Sequence, residues 1–305
     1  MSSASPFPLP PSSASAAAGA ASAAPHEHPL VATLPSVEAE LNYLKPGQGR
    51  PVNYTFEPPP GVPWVTGELE ARRVTIRDGR PLVALRELSL DRSGFTQISH
   101  RSVLADFSQD ATIRDIYYRE SEELLRDVTG AQKIVVFDHT LRDSAQGSRR
   151  TAELREPVRR VHDDQTPASA RRRVLDHLPP EEAEQRLAKR FAIVNLWRPL
   201  ATVERLPLAL CDARSIDPED LVPSDLVYRD KVGETYSFTY NPRHRWYWFP
   251  RLRPDEALLL KIFDSREDGT ARLTAHTAFE DPTGAPEAPP RRSIELRALV
   301  FWDTP

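Results

Sequence analysis

The sequence predicts a mixed α+β, mainly β protein in which helices flank a β-barrel or β-sandwich core. Two observations lead to this prediction. Apolar runs of strand length dominate the second half, at 191–198, 234–240, 257–263, 271–278 and 293–302. Helical periodicity occurs mainly in the first half, and no internal repeat indicates a solenoid or a propeller.

The composition is that of a globular protein with an appended tail. The chain has 305 residues, of which 39% are hydrophobic and 28% are charged. Residues 1–30 consist largely of Ala, Ser and Pro and offer little apolar surface to bury, which predicts disorder. We therefore expect a single folded domain over 31–305.

Charge and cysteine content limit the partners and the compartment. The net charge is −4, and no dense basic stretch indicates nucleic-acid binding. No apolar run reaches the roughly 18 residues of a membrane span, and the amino terminus lacks the features of a secretory signal. Cys211 is the single cysteine, which favours a reducing compartment. These features predict a cytoplasmic protein that binds a small molecule, with neither nucleic acid nor membrane as partner.

The first elements are an extended segment and a hairpin. Residues 31–65 carry aromatic residues among many prolines and are expected to wrap the core in an extended conformation. Residues 71–77 and 81–90 flank Asp78-Gly79, a pair that favours tight turns. This pattern predicts a β-hairpin.

Two helices and a short strand follow. Residues 112–129 have apolar positions near helical spacing, and Gly130 should end that helix. Residues 133–137 are apolar and β-branched, which predicts a short buried strand. Pro179-Pro180-Glu181-Glu182 predicts the start of a second helix, because proline is tolerated in the first turn.

Three residues have the character of a metal site. His162 and Asp164 are two positions apart and point to one face of a strand, while Asp163 points away. His276 supplies a further imidazole. Two histidines and one carboxylate on one face of an octahedral metal leave three positions open, as a non-haem Fe(II) oxygenase requires.

Each of these residues also has a simpler interpretation. Asp164 could cap a helix in a surface turn, and an isolated histidine such as His276 in an apolar strand is often a core residue. His139, His177 and His244 compete for the ligand role.

A late strand carries a second polar set. Strand periodicity places Arg291, Ser293, Glu295 and Arg297 on one face and apolar residues on the other. A forked guanidinium with a hydroxyl beside it suits the far carboxylate of a 2-oxo acid. An exposed edge strand, or a structural Glu295–Arg297 ion pair, would give the same pattern.

Other residues are candidates for substrate contacts. Asn195 and Trp197 share a face, and Asn195 either binds a ligand or satisfies a loop. The aromatic residues at strand spacing line a barrel mouth or belong to the core; they are Tyr236, Phe238, Tyr240, Trp246 and Trp248. Lys261 interrupts an apolar run and is the second choice, after Arg291, for the cosubstrate cation.

Taken together, the motifs resemble a known family. Over residues 40–303 the sequence is similar to the fungal asaB-type hydroxylase/desaturase family, which is related to the cephamycin 7α-methoxylation subunit and to fungal gibberellin desaturase. The motifs that carry the resemblance occur in this order: Tyr117-Tyr118-Arg119-Glu120, Phe137-Asp138-His139-Thr140-Leu141-Arg142, His162-Asp163-Asp164-Gln165, Asn195-Leu196-Trp197-Arg198-Pro199, Asp212-Ala213-Arg214, Trp246-Tyr247-Trp248-Phe249-Pro250, Lys261-Ile262-Phe263-Asp264-Ser265, His276-Thr277-Ala278-Phe279 and Arg291-Arg292-Ser293-Ile294-Glu295-Leu296-Arg297.

The resemblance implies a double-stranded β-helix (a jelly-roll, cupin-like core) and Fe(II)/2-oxoglutarate chemistry with O₂. It assigns iron binding to His162, Asp164 and His276, and the distal carboxylate of 2-oxoglutarate to Arg291 and Ser293. The expected function is hydroxylation or desaturation of a small organic molecule in secondary metabolism. A non-catalytic binding protein on the same barrel and a hydrolase with a metal-bound water are the alternatives. The sequence leaves the substrate and the oligomeric state open, as well as whether 164–190 and 211–233 form a lid.

Overall fold

The computed structural model describes residues 28–145 and 154–303. Residues 1–27 of the predicted tail lie outside this part of the chain. The last three residues of that tail, 28–30, are described. Pro29–Thr33 form a 3₁₀ turn in which Val31 is buried. The proposed division into a tail and a domain over 31–305 stays a prediction.

The described residues form two β-sheets. The strands are β1 Ser36–Leu44, β2 Val52–Tyr54, β3 Leu69–Asp78, β4 Phe95–Ser99, β5 Lys133–Asp143, β6 Leu154–Arg155, β7 His162–Asp163, β8 Phe191–Pro199, β9 Leu208–Cys211, β10 Leu221–Val227, β11 Val232–Phe238, β12 Trp246–Trp248, β13 Glu256–Asp264, β14 His276–Ala278 and β15 Arg292–Phe301. The nine-stranded sheet has the order β1-β3-β12-β9-β14-β7-β11-β10-β2, and the six-stranded sheet has the order β4-β13-β8-β15-β5-β6.

The helices lie between these strands. They are α1 Arg80–Ala84, α2 Asp110–Thr112, α3 Tyr118–Thr129, α4 Pro167–His177 and α5 Pro180–Leu187, and a π-helical turn, Ile113–Tyr117, joins α2 to α3. Gly130 ends α3 in the left-handed conformation, and Pro180 starts α5, as the sequence predicted. No helix in the described part of the chain has the length and apolar character needed to span a bilayer.

The predicted hairpin after β3 is wrong, because α1 takes the place of its second strand. Gly79 adopts a right-handed helical conformation at φ −82°, and Asp78 Oδ1 accepts a hydrogen bond from the Arg80 amide. Proline then stands in the first turn of the helix. A Cβ at Gly79 would lie only 3.0 Å from the Phe249 ring. Glycine at this position therefore permits close packing rather than a hairpin turn.

The later strands follow the prediction with one exception. Four of the five predicted segments coincide with observed strands to within a few residues, and β5 extends well beyond the predicted 133–137. In the predicted strand 271–278, however, only His276–Ala278 is paired. The segments 164–190 and 211–233 are not open loops, since they contain α4, α5, β10 and two short 3₁₀ turns.

The two sheets pack face to face as a jelly roll. The interior between them holds residues such as Leu210, Leu260 and Phe263. The outer face of the six-stranded sheet packs against α3 through Leu125 and its neighbours. A further cluster on the other face of the nine-stranded sheet includes Trp246.

Candidate metal centre

The three predicted ligands meet on the inner face of the nine-stranded sheet. β14 pairs with both β7 and β9, and His276 lies opposite His162 on one side and Leu210 on the other. Residues paired in this way share a face, and Leu210 belongs to the core between the sheets. Candidate ligand atoms of His162, Asp164 and His276 all lie within 4.8 Å of one another.

The histidines are oriented by backbone carbonyls. His162 Nδ1 lies 2.8 Å from the Arg160 carbonyl oxygen, and His276 Nδ1 lies 3.2 Å from that of Thr274. An Nδ1–H that donates to a carbonyl fixes the tautomer in which Nε2 carries a free lone pair. Burial lowers the pKa of His162 to about 3, and the neighbouring His276 adds to the effect. His162 is therefore neutral at physiological pH, as a metal ligand must be.

Asp164 is held through one of its two oxygens. Its Oδ2 accepts hydrogen bonds from Asn195 Nδ2 at 2.9 Å and from Arg297 Nε at 3.1 Å. Oδ1 lies 3.7 Å from His162 Nε2. Burial by itself would raise the pKa of Asp164, but Arg297 and the two imidazoles outweigh it and hold that pKa well below its usual range. The carboxylate is thus ionised, with Oδ1 turned towards the imidazoles.

Behind this carboxylate lies a buried network on β15, β8 and β5. Asn195 also donates to Glu295 Oε1 at 3.0 Å, and Arg297 pairs with Glu295 and with Asp138 at 3.1 Å each. Arg142 completes the set at 3.2 Å from Glu295. Neither alternative for Asn195, binding a ligand or satisfying a loop, is observed, because its amide donates to Asp164 and Glu295. The sequence analysis missed the contact between Arg297 and Asp164, although strand parity placed Arg297 on the same face as Arg291 and Ser293.

Arg291 and Ser293 are buried with unused hydrogen-bonding atoms. Arg291 Nη1 donates to the Leu206 carbonyl oxygen at 2.6 Å, and the guanidinium lies 5.4 Å from the centre of the Trp197 ring. Arg291 Nε and Ser293 Oγ have no partner among the described residues. Burial lowers the pKa of Arg291 to about 9, and Arg142 contributes. A cation and a hydroxyl left unpaired on one strand face are what a carboxylate ligand would satisfy.

Lys261 does not belong to this site. Its ammonium lies 2.6 Å from Asp91 and 2.8 Å from Asp264, and the side chain is buried. Lys261 thus forms ion pairs with two carboxylates, which leaves Arg291 as the candidate cation for the cosubstrate. A buried lysine needs such partners to stay charged, and they come from segments that sequence spacing does not connect.

Of the two alternatives for the aromatic residues at strand spacing, the structure supports the core and not the barrel mouth. Tyr236 pairs with Asp163, so its side chain is on the face opposite to His162. Tyr240 packs edge-on against Tyr43 at 5.3 Å. Trp246 is fully buried and donates to the Tyr43 hydroxyl at 2.8 Å. These residues form the outer cluster of the nine-stranded sheet, whereas the Trp197 ring lies beside the Arg291 guanidinium.

The competing histidines are engaged elsewhere. His139 lies 2.9 Å from the Tyr118 hydroxyl, and His177 is exposed and stacks on Phe137. His244 lies between Tyr43 and Asp220. Within residues 28–145 and 154–303, His162, Asp164 and His276 form the one group of three such side chains that could hold a metal.

The chain is similar to known proteins over most of its length. The family model described as "Oxidoreductase/YMDC permease-like domain" matches residues 41–301. The hydroxylase/desaturase efuI of Hormonema carpetanum is 34% identical over 239 residues, which are 71% of this chain and 80% of that protein. The hydroxylase/desaturase CTB9 of Cercospora beticola is 33% identical over 281 residues, or 82% of this chain and 86% of that protein.

A solved structure matches the fold over nearly its whole length. It is described as the iron and alpha-ketoglutarate-dependent endoperoxidase NvfI, and it is 29% identical with a TM-score of 0.78. The match covers 88% of this chain and 98% of that one. The corresponding curated protein, the Fe(II)/2-oxoglutarate-dependent dioxygenase nvfI of Aspergillus novofumigatus, is 33% identical over 276 residues. The jelly-roll fold expected from the sequence is thereby confirmed.

Proposed function

Since the chain belongs to the family of Fe(II)/2-oxoglutarate-dependent hydroxylases and desaturases of fungal secondary metabolism, we propose that His162, Asp164 and His276 hold its Fe(II). We further propose that Arg291 and Ser293 bind the distal carboxylate of its cosubstrate. The enzyme acts on a small molecule, which it hydroxylates or desaturates.

One observation carries the assignment of the iron ligands. The candidate ligand atoms of His162, His276 and Asp164 lie within 4.8 Å of one another. The Nδ1 atom of each imidazole faces a backbone carbonyl, and one oxygen of the carboxylate already accepts hydrogen bonds. Nitrogen and oxygen donors in a two-histidine, one-carboxylate set are the ligands that non-haem Fe(II) oxygenases use. Cys211 is the single cysteine of the chain and is buried, so thiolate ligands are not an alternative at this centre.

The surrounding residues have distinct tasks. Asn195 and Arg297 hold Asp164 Oδ2, which leaves Oδ1 for the metal and fixes a single direction of approach. Arg291 and Ser293 orient the cosubstrate from the start of β15, the strand that also carries Arg297, with Trp197 packed against the guanidinium. When bound, Fe(II) with 2-oxoglutarate and O₂ supplies the oxidising power, and the products include succinate and CO₂. The protein supplies binding and orientation.

The lone, buried Cys211 also supports a reducing, cytoplasmic location as part of this proposal.

The test combines a spectrum with isotope labelling. Under nitrogen, adding Fe(II) and 2-oxoglutarate to the purified protein should produce a weak visible charge-transfer band. Under ¹⁸O₂, one labelled oxygen should enter succinate, with or without a coupled substrate. Because a structural relative is named an endoperoxidase, products of candidate substrates should be screened for gain of one oxygen, loss of two hydrogens and gain of two oxygens. Absence of both the band and succinate would overturn the proposed site.

A further inference from the structure

A cavity of about 460 Å³ lies at the edge of the nine-stranded sheet that is formed by the ends of its central strands β7, β9 and β14. Gln165 follows the end of β7, Ala213 follows the end of β9, and Leu273 precedes the start of β14; all three line the cavity. Since β14 is antiparallel to both of the other strands, these three positions meet at the same edge. The volume is within the roughly 300–1,000 Å³ of small-molecule sites.

This cavity is separate from the proposed iron and cosubstrate sites. None of the five residues assigned there lines it. Tyr236, which does, pairs with Asp163, whereas its neighbour Ser237 pairs with His162. Side chains alternate between faces along a strand, so Tyr236 lies on the face opposite to His162. Arg291 contacts the Leu206 carbonyl, which precedes β9. That carbonyl therefore lies at the end of β9 opposite to the cavity, which Ala213 lines after the strand.

Polar groups without partners lie at this edge. Gln165 is only 4% exposed, and its side-chain amide makes no hydrogen bond to a described residue, with Oε1 fully buried. Asp163 is completely buried, and its Oδ1 also lacks a partner in the described part of the chain. The Tyr236 hydroxyl makes no hydrogen bond there either. Unsatisfied buried groups are costly and rare, so the two buried atoms at this edge, of which Gln165 Oε1 belongs to a residue that lines the cavity, indicate a missing partner.

The rest of the cavity favours a neutral, apolar occupant. Leu221 and Pro223 extend the wall from β10 on the side of Tyr236, and Phe263 closes it from the other sheet. The cavity is also lined by Arg92, Arg214 and Arg272, but each is already paired with a carboxylate, at 2.8, 2.7 and 2.8 Å respectively. No unpaired cation among the lining arginines is therefore left for an anionic ligand.

We propose that this cavity is a second binding site for a neutral, largely apolar organic molecule, whose single hydroxyl or amide group hydrogen-bonds to Gln165. The proposal goes beyond the oxygenase function, because the site uses neither iron nor 2-oxoglutarate. It requires only that a ligand supply hydrogen bonds at one end and apolar surface along the remainder.

The test uses 1-naphthol as the probe and naphthalene as its matched control without the hydroxyl. Calorimetric titration of the full-length protein should give one site for 1-naphthol, bound about tenfold more tightly than naphthalene, since one hydrogen bond contributes on this order. The affinity should be the same without metal and with Fe(II) and 2-oxoglutarate under nitrogen. If the affinity for 1-naphthol fell more than tenfold when Fe(II) and 2-oxoglutarate were added, the probe would be bound at the iron centre and the proposal would be overturned.

Two variants locate the probe. Gln165→Leu keeps the shape but removes the amide, and should reduce the preference for 1-naphthol over naphthalene to less than twofold. Leu221→Trp should fill the cavity and abolish binding, while Val232→Trp, at a position that is 63% exposed, serves as the surface control. Circular dichroism and the Fe(II)/2-oxoglutarate band report whether each variant is folded. No binding to the wild type, or an unchanged preference in folded Gln165→Leu, would refute the proposal.

Discussion

Replacing Arg291 with methionine should abolish cosubstrate binding without unfolding the protein. The guanidinium is buried. Among the described residues its Nε has no partner, and its one hydrogen bond is to the Leu206 carbonyl. Burial lowers its pKa to about 9, so the group is still protonated at neutral pH but its charge is poorly compensated. A carboxylate ligand would supply the missing compensation.

The expected magnitudes follow from these contacts. A hydrogen bond to a charged group contributes about 1.5–3 kcal/mol, so losing a two-pronged contact should weaken 2-oxoglutarate binding at least 100-fold. Replacing a poorly paired buried charge by an apolar side chain stabilises proteins by about 1–4 kcal/mol. The Leu206 carbonyl, left without a donor, offsets about 1 kcal/mol of this gain. The ligand-free variant should therefore be as stable as the wild type or more so.

The direction of the pH effect follows from the lowered pKa. Because the unfolded chain holds the Arg291 proton more tightly than the folded protein, the cost of the buried charge is constant at pH values below about 9. It decreases only as the pH rises above that value. At pH 7 to 8 the difference between wild type and variant should therefore not change with pH.

Thermal unfolding measures both effects. A ligand at 100 times its dissociation constant stabilises by about 2.7 kcal/mol, and 1 kcal/mol shifts Tm by about 2–4 °C in a protein of this size. With metal present and O₂ excluded, 2-oxoglutarate should raise the Tm of the wild type by roughly 5–10 °C and that of Arg291→Met by less than about 2 °C. Arg292→Met is the control, since that neighbouring side chain is 62% exposed. If Arg291→Met kept the full shift, or if its ligand-free Tm fell by more than about 5 °C, the reasoning would be wrong.

Four further predictions can be checked with purified variants. His276→Ala should lose Fe(II) retention and succinate formation, whereas His244→Ala, outside the centre, should keep Fe(II) if folded; equal iron content in both would contradict the ligand assignment. Asn195→Ala and Arg297→Met each free Asp164 Oδ2 and should weaken Fe(II) binding about 10–100-fold, measured by competition with a chelator, while Arg73→Met, at a side chain that is 75% exposed, should have no effect. Burial raises the pKa of the Cys211 thiol, so iodoacetamide at pH 8 should alkylate it only after unfolding, and rapid labelling of the native protein would refute this. A chain that starts at His28 should keep the Tm of the full-length protein to within about 2 °C, because the 3₁₀ turn with buried Val31 is retained; a larger loss would assign a structural role to residues 1–27.

Local patterns predicted several features correctly. Gly130 ends α3 because glycine adopts the left-handed conformation without strain, and Pro180 starts α5 because a first-turn residue needs no amide hydrogen. The alternation on β15 is also as expected, with Ile294 and Leu296 in the cluster beneath α3 and Ser293 on the other face. Such features depend only on neighbours along the chain.

The hairpin error shows where local patterns are insufficient. Asp78-Gly79 suits a tight turn, but Gly79 also has to accept close contact with Phe249, and its amide donates to the Trp248 carbonyl. These contacts come from a segment far along the chain. They select a helical turn that the dipeptide alone would not indicate.

The sequence by itself determined the candidate ligands and their parity, placing His162 with Asp164 and Arg291 with Ser293, because a strand repeats every two residues whatever surrounds it. Only the tertiary structure decided what each side chain meets. Register across β7, β14 and β9 put His276 beside His162, and the packing of the two sheets gave Asp164 its contacts with Asn195 and Arg297. It also enclosed Lys261 with Asp91 and Asp264. Register and sheet packing depend on the burial of many distant segments at once, and that information is not contained in any single stretch of sequence.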